Sequence, residues 1–223
     1  LGDVYKRQGI LAALVAVSNG NDGQIIDAAM VDGAAYLASP LFSAYQSGFW
    51  SNQRGTNLLD SGAPFYDVYE CKCGDFLATG AIEPQFYKQL LMGLGFDPDE
   101  IPPQNDREHW RETKDKFAAR FLTKRRSEWL KIFEGTDACV SPVLNMGESY
   151  LHRHARDRDS FFETCGVIQP KPAPRFSLTE TEPSQESESL GQSTSEILLS
   201  IGRSTDQIND CLLYTSPSPR DTA

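Results

Sequence analysis

A chain of 223 residues that is 39% hydrophobic and 23% charged holds enough apolar material for one large or two small packed domains, which excludes disorder throughout. Its formal net charge of −10 argues against a nucleic-acid partner, because phosphate binding draws its affinity from clustered Lys and Arg. No stretch approaches the roughly 20 apolar residues of a membrane span, so membrane insertion is not expected.

In chain order, the apolar run over residues 9–17 predicts a buried helix. The cluster Ser18-Asn19-Gly20-Asn21-Asp22-Gly23 then predicts a turn, since Asn, Asp and Gly tolerate positive φ; it lacks the lysine and spacing of a phosphate-binding loop. Residues 24–26 suit a short strand, and Asp27 is placed to cap a helix whose apolar positions Met30, Val31, Ala34, Ala35 and Leu37 recur at helical spacing. Pro40 should break it. A second apolar stretch covers residues 41–50.

Residues 68–71 and 76–79 are strand candidates joined at Cys73-Gly74, a hairpin signature. Pro84 opens a helix with Phe86, Leu90, Leu91 and Leu94 on one face and glycine at its end. Two further helices are marked by Trp110, Phe117 and Phe121, and by Trp129, Ile132 and Phe133, with Gly135 as a stop. Between them the basic run Lys124-Arg125-Arg126 reads as a solvated helix end. Residues 137–140 suit a strand. Residues 64–146 thus predict an α+β unit. Beyond it, residues 151–159 read as a charged loop, the prolines of residues 170–174 as an extended crossing, residues 179–189 as a mobile connection, and Ile197, Leu198, Leu199 and Ile201 as a short helix.

Five cysteines, Cys71, Cys73, Cys139, Cys165 and Cys211, are an odd number in a chain able to build a core without staples, which favours a reducing compartment over secretion. Cys71 and Cys73 have no second pair at zinc-ligand spacing, and His152 and His154 have no evident third ligand, so no metal is expected. Residues 1–8 (LGDVYKRQ) and 211–223 (CLLYTSPSPRDTA) resemble translated library-adaptor sequence. Both are expected to lack packing, with Leu212, Leu213 and Tyr214 exposed. Any targeting signal at either true terminus would then be out of view.

A series of segments carries a family resemblance: GQIIDAAMVDGAAYL from Gly23, RGTNLLDSGAPFYDVYEC from Arg54, GAIEPQFYKQLLMGLG from Gly80, IPPQND from Ile101 and TDACVSPVL from Thr136. In this order and at these intervals they resemble the α-methylacyl-CoA racemases of the family III CoA-transferase (CaiB/BaiF) superfamily. LGQSTSEILLSIG from Leu190 resembles the closing helix less closely, with Ser193 where a histidine is usual. The resemblance implies an α/β fold whose C-terminal part is present here: residues 9–27 as the end of a Rossmann-like large domain, 28–63 a helical linker, 64–146 the small α/β domain, 147–189 a return linker and 190–210 a C-terminal helical segment.

It further implies an isomerase acting on acyl-CoA thioesters without a cofactor, as an interlocked homodimer. The histidine and aspartate that carry the protons are placed upstream of Gly9, so the chain as written is expected to be inactive. Glu83 matches the glutamate that hydrogen-bonds the catalytic histidine. A carboxylate at a helix N-terminus, satisfied by the dipole and free backbone donors, is the alternative reading of the same residue, and the two are compatible. Tyr66 and Ile82 match positions near the acyl pocket, with packing in the core as their alternative. A family III CoA-transferase would share the fold and use the upstream aspartate as a nucleophile. The absence of a glycine-rich loop between Pro64 and Met146 favours the racemase. A non-catalytic, dimer-forming fragment is a third possibility.

Overall fold

In the computed structural model, residues 2–179, 181 and 188–215 are described, with side chains over 6–179, 181 and 188–210. The chain divides into two units, Leu1–Leu144 and Asn145–Ala223.

The first unit begins with three helices, α1 (Gly2–Ser18), α2 (Met30–Leu37) and α3 (Ser39–Gln46). The turn after α1 forms as expected, with Gly20 at φ 87°. Pro40 lies in the first turn of α3, where its missing N–H costs no helical bond, so it separates two helices. Three expectations fail here. Residues 24–26 form no strand, having no neighbour to pair with among the described residues. Asp27 does not cap α2, whose N-cap is Ala29 without a side-chain hydrogen bond. The run over residues 9–17 is helical but not buried: Leu11, Leu14 and Val15 are 62%, 57% and 60% exposed, because little of the described chain packs on α1. The helix also takes in residues 2–8, of which residues 6–8 are exposed.

Residues 51–62 form a tight loop around Asn57, which is fully buried and fully bonded. Its amide nitrogen donates to Ser51 O at 3.0 Å and Asp60 Oδ2 at 2.7 Å, and its Oδ1 accepts from Ser51 N at 2.7 Å. Burial raises the Asp60 pKa, but the hydrogen bonds from the Asn57 side chain and from the Asn57, Gly55 and Gly62 backbones outweigh it and hold the carboxyl below its ordinary range.

A three-stranded antiparallel sheet comes next, in the order β1 (Val68–Glu70), β2 (Phe76–Thr79), β3 (Val140–Pro142). The β1–β2 hairpin was legible; Gly74 supplies φ 80° in its turn, and Cys71 N donates to Asp75 O at 2.7 Å. Tyr69 and Leu77 sit opposite each other and are both buried, which sets one sheet face toward the core. β3 begins at Val140, three residues later than the pattern suggested, because Cys139 takes φ 53° and breaks the extended run.

Helix α4 (Pro84–Leu94) starts with proline at N1 and stops at Gly95 in the left-handed region, as written in the sequence. Tyr87, Leu90, Leu91 and Leu94 form its buried face; Phe86 is only partly covered. α5 (Trp110–Phe121) and α6 (Arg126–Phe133) complete an aromatic core. Tyr69 stacks on Phe121 at 5.0 Å, Phe121 meets Trp129 edge-on at 5.4 Å, and the Trp129 indole N–H donates to Phe121 O at 2.9 Å. The run Lys124-Arg125-Arg126 does lie at a helix end, the start of α6, with Arg125 exposed, but it is not wholly solvated: Lys124 covers the Trp129 ring, and Arg126 donates to Val143 O at 2.8 Å.

The second unit contains short helices α7 (Met146–Ser149) and α8 (Arg153–Asp157), the hairpin β4 (Phe161–Thr164) and β5 (Val167–Pro170), then α9 (Thr194–Ser200) and α10 (Thr205–Thr215). The charged stretch read as a loop is thus partly helical, with His152 as its N-cap accepting from His154 N. The β4–β5 hairpin was not anticipated. Most of residues 179–189, and the side chains of Leu212, Leu213 and Tyr214, lie outside the described residues.

Candidate functional site

Residues 80–84 form a strap from β2 into α4, and each turn of it is held. Gly80 N donates to Cys139 O at 2.9 Å, and Ala81 N donates to Phe65 O at 3.0 Å. Ile82 N turns back to Gly80 O at 2.9 Å, a three-residue turn. From the other side, Gln104 Nε2 donates to the carbonyls of Ala81 and Ile82 at 3.1 and 2.8 Å. The next residue, Glu83, is extended at φ −74° and ψ 140° and serves as the N-cap of α4, its carbonyl accepting from Phe86 and Tyr87 N.

The Glu83 side chain makes no cap hydrogen bond and has no hydrogen-bond or ion-pair partner among the described residues. It is exposed. Pro84 removes the nearest free N–H, and glutamate is longer than the Asp, Ser or Thr side chains that reach back to the first helical turn. Of the alternative reading of Glu83, the backbone hydrogen bonds are not formed, while the helix dipole still favours a negative charge there. Its field reaches Cys139: desolvation, then the charges of Glu83 and Asp137, push that thiol's pKa up. Cys139 thus stays a thiol near neutrality and is a poor nucleophile.

A cavity of about 400 Å³ opens beside the strap, lined among others by Ser61, Tyr66, Asp67, Thr79, Gly80 and Cys139. Tyr66 lines it; Ile82 does not. Both are about a third exposed, at 37% and 36%, so neither is core packing. The structure brings Tyr66, the strap and Cys139 together around one opening. Asp67 and Lys114 form an ion pair at its edge, and Lys114 also donates to Ser61 O at 2.6 Å. Neither that pair nor Gln104 was singled out from sequence, although Gln104 stands within IPPQND. A separate cavity of about 530 Å³ between α1 and α2 is lined by Ile26, Ala29, Met30, Ala34 and Tyr36, with Asp27 and Asp32 as its acids.

Cys71, Cys73, Cys139 and Cys165 are free thiols. Cys71 is buried and Cys73 exposed, and His152 spends a ring nitrogen on capping α8. Among the described residues no group of three or more His, Cys, Asp or Glu could hold a metal ion, and no helix is long and apolar enough to cross a membrane.

The class is set by the whole chain: residues 2–194 match the model of CoA-transferase family III, and the chain belongs to that family. Within it, the chain is 46% identical over 202 residues to the alpha-methylacyl-CoA racemase of Mus musculus and 45% identical to that of Homo sapiens, in each case covering 90% of this chain and 53% of the relative. It is 25% identical to the succinyl-CoA:glutarate CoA-transferase of Homo sapiens, over 92% of this chain and 48% of that protein. The chain spans about half the length of the curated relatives it matches. Its fold is shared with a CAIB/BAIF family protein from Brucella suis, at TM-score 0.68 and 15% identity over 89% of this chain and 53% of that one. Rv3272 from Mycobacterium tuberculosis matches at TM-score 0.59 and 14% identity, over 76% and 44%.

Proposed function

We propose that this chain is part of an enzyme that interconverts the 2R and 2S forms of 2-methyl-branched acyl-CoA thioesters. The thioester carbonyl acidifies the α-hydrogen; one group removes that proton, the electron pair moves onto the carbonyl oxygen as an enolate, and a second group returns a proton to the other face. Nothing else is gained or lost, so no cofactor is needed. In this reading Glu83 accepts a hydrogen bond from the proton-carrying histidine of the complete protein, fixes its tautomer and stabilises its charged form. The observation that carries the reading is the unpartnered carboxylate of Glu83, held on a bonded strap whose first residue, Gly80, lines an open cavity.

Tyr66 and Ile82 contribute to the acyl pocket, Tyr66 from the cavity wall and Ile82 from the strap. The complete enzyme is a homodimer in this proposal, and the exposed apolar residues of α1 to α3 support a requirement for further covering surface. The proton carriers and the main CoA surface lie outside this chain, so the chain alone neither turns over nor binds CoA tightly.

The test is Glu83→Gln in the complete protein, with deuterium incorporation at the α-carbon and thermal unfolding as the readouts. We expect exchange to fall by about tenfold to a thousandfold with the fold intact. Unchanged exchange with a stability loss of about 1 kcal/mol would leave Glu83 a helix-end carboxylate only. An enantiomer-resolved assay of the chain alone should show no turnover; robust turnover would overturn the placement of the proton carriers. Transfer of CoA from the thioester to a free carboxylic acid, without racemisation, would favour the transferase reading.

A further inference from the structure

The Gly80–Pro84 strap is held by a closed circuit of contacts, and Gln104 is the member that reaches across from a different part of the chain. Its single amide nitrogen spends both hydrogens on the carbonyls of Ala81 and Ile82, the two peptide groups immediately before Glu83. Its own main-chain carbonyl accepts the Trp110 indole N–H at 2.8 Å. Trp110 is buried and meets Phe65 edge-on at 5.9 Å. Phe65 closes the circuit, because its carbonyl receives the N–H of Ala81 at 3.0 Å. Ala81 is thus gripped on both its N–H and its C=O, and Ile82 on its C=O, which leaves the rotation at Glu83 itself as the next freedom in the chain.

The rest of the site does not supply this constraint. Glu83 has no side-chain bond to hold it, and α4 fixes only the residues on its C-terminal side. A carboxylate that must meet one nitrogen of an imidazole has to arrive with its backbone already placed, since small misplacements are costly where geometry carries the rate. From this we infer that Gln104 is a positioning residue: it sets the backbone from which Glu83 reaches its partner, without touching substrate itself. The inference rests on the proposed role of Glu83.

The experiment is a double-mutant cycle in the complete protein with Gln104→Met, which keeps the volume and removes both donors, and Glu83→Gln. α-Proton exchange and thermal unfolding are measured for all four proteins. Gln104→Met should slow exchange about tenfold, short of the hundredfold that an ångström of misplacement can cost. In the Glu83→Gln background the same change should cost less than about twofold, because its route of action is already gone. An equal loss in both backgrounds would mean that Gln104 acts on stability or another group, and overturns the inference. A silent Gln104→Met beside a damaging Glu83→Gln overturns it while sparing Glu83; a silent Glu83→Gln removes both. Should the methionine variant not fold, Gln104→Asn, too short to reach both carbonyls, takes its place in the cycle.

Discussion

Helices α1 to α3 and the region from Ala63 to Val140 draw on the same apolar side chains and put them to opposite use. Phe65, Phe117, Phe121, Leu77 and Leu90 lose all contact with water, whereas Ile10, Leu14, Met30, Val31 and Phe42 remain more than half exposed. No residue of α2 or α3 is buried. The difference does not lie in propensity, since both regions form the helices their spacing predicts. It lies in whether the described chain supplies the opposing surface. Three aromatic-rich helices and a three-stranded sheet close over one another, and α1 to α3 have no such counterpart within it.

The largest effect that tests this contrast is Trp129→Ala. Trp129 is fully buried, donates to Phe121 O and lies under Lys124, so its loss should cost about 3–5 kcal/mol, read as a shift in urea midpoint. Leu14→Ala in α1 should stay within about 0.5 kcal/mol in the same assay. A comparable loss at both positions would show that α1 is covered in solution, and the contrast would fail.

A smaller effect sharpens the description of the packed region. A Cβ added at Gly93 would lie 2.2 Å from Phe133 Cε1, with other ring atoms at 2.9 Å, so Gly93→Ala should destabilise by about 1–3 kcal/mol through overpacking. An unchanged midpoint would mean that α4 and α6 pack more loosely than this contact requires.

The smallest is a pH effect confined to the same region. Burial first, with the nearby Cys73, Asp75 and Glu70, pushes the Cys71 thiol up from 9.0 to about 11. Between those values the unfolded chain has released the proton and the folded chain keeps it. The contribution is therefore complete below about pH 9 and is lost as pH rises toward about 11. Cys71→Ala should flatten the fall in unfolding midpoint across that window, and an identical fall in both proteins would assign it to other groups.

Several elements were readable because their causes are local. Pro84 and Gly95 bracket α4 by backbone chemistry alone, and the Cys73-Gly74 turn set the β1–β2 hairpin. Glu83 and Tyr66 could be named from a motif; in the structure Tyr66 and Gly80, the first residue of the strap, line one opening, and Glu83 does not line it. Other features depended on partners distant in sequence. Whether residues 24–26 pair as a strand rests on a neighbour that is not found among the described residues, and the start of β3 rests on the left-handed turn at Cys139.

The sequence by itself determined that α4 starts at Pro84 directly after Glu83 and stops at Gly95, and that Trp110, Phe117, Phe121, Trp129 and Phe133 are the apolar positions of α5 and α6 that enter the core. Tertiary structure alone decided that the apolar run of α1 stays exposed, that Glu83 keeps a free carboxylate, and that Gln104 grips the strap in front of it. The reason is physical: periodicity and capping act over three or four residues, whereas burial and the Gln104 bonds join groups 22 or more positions apart, whose meeting is set by the whole packing arrangement.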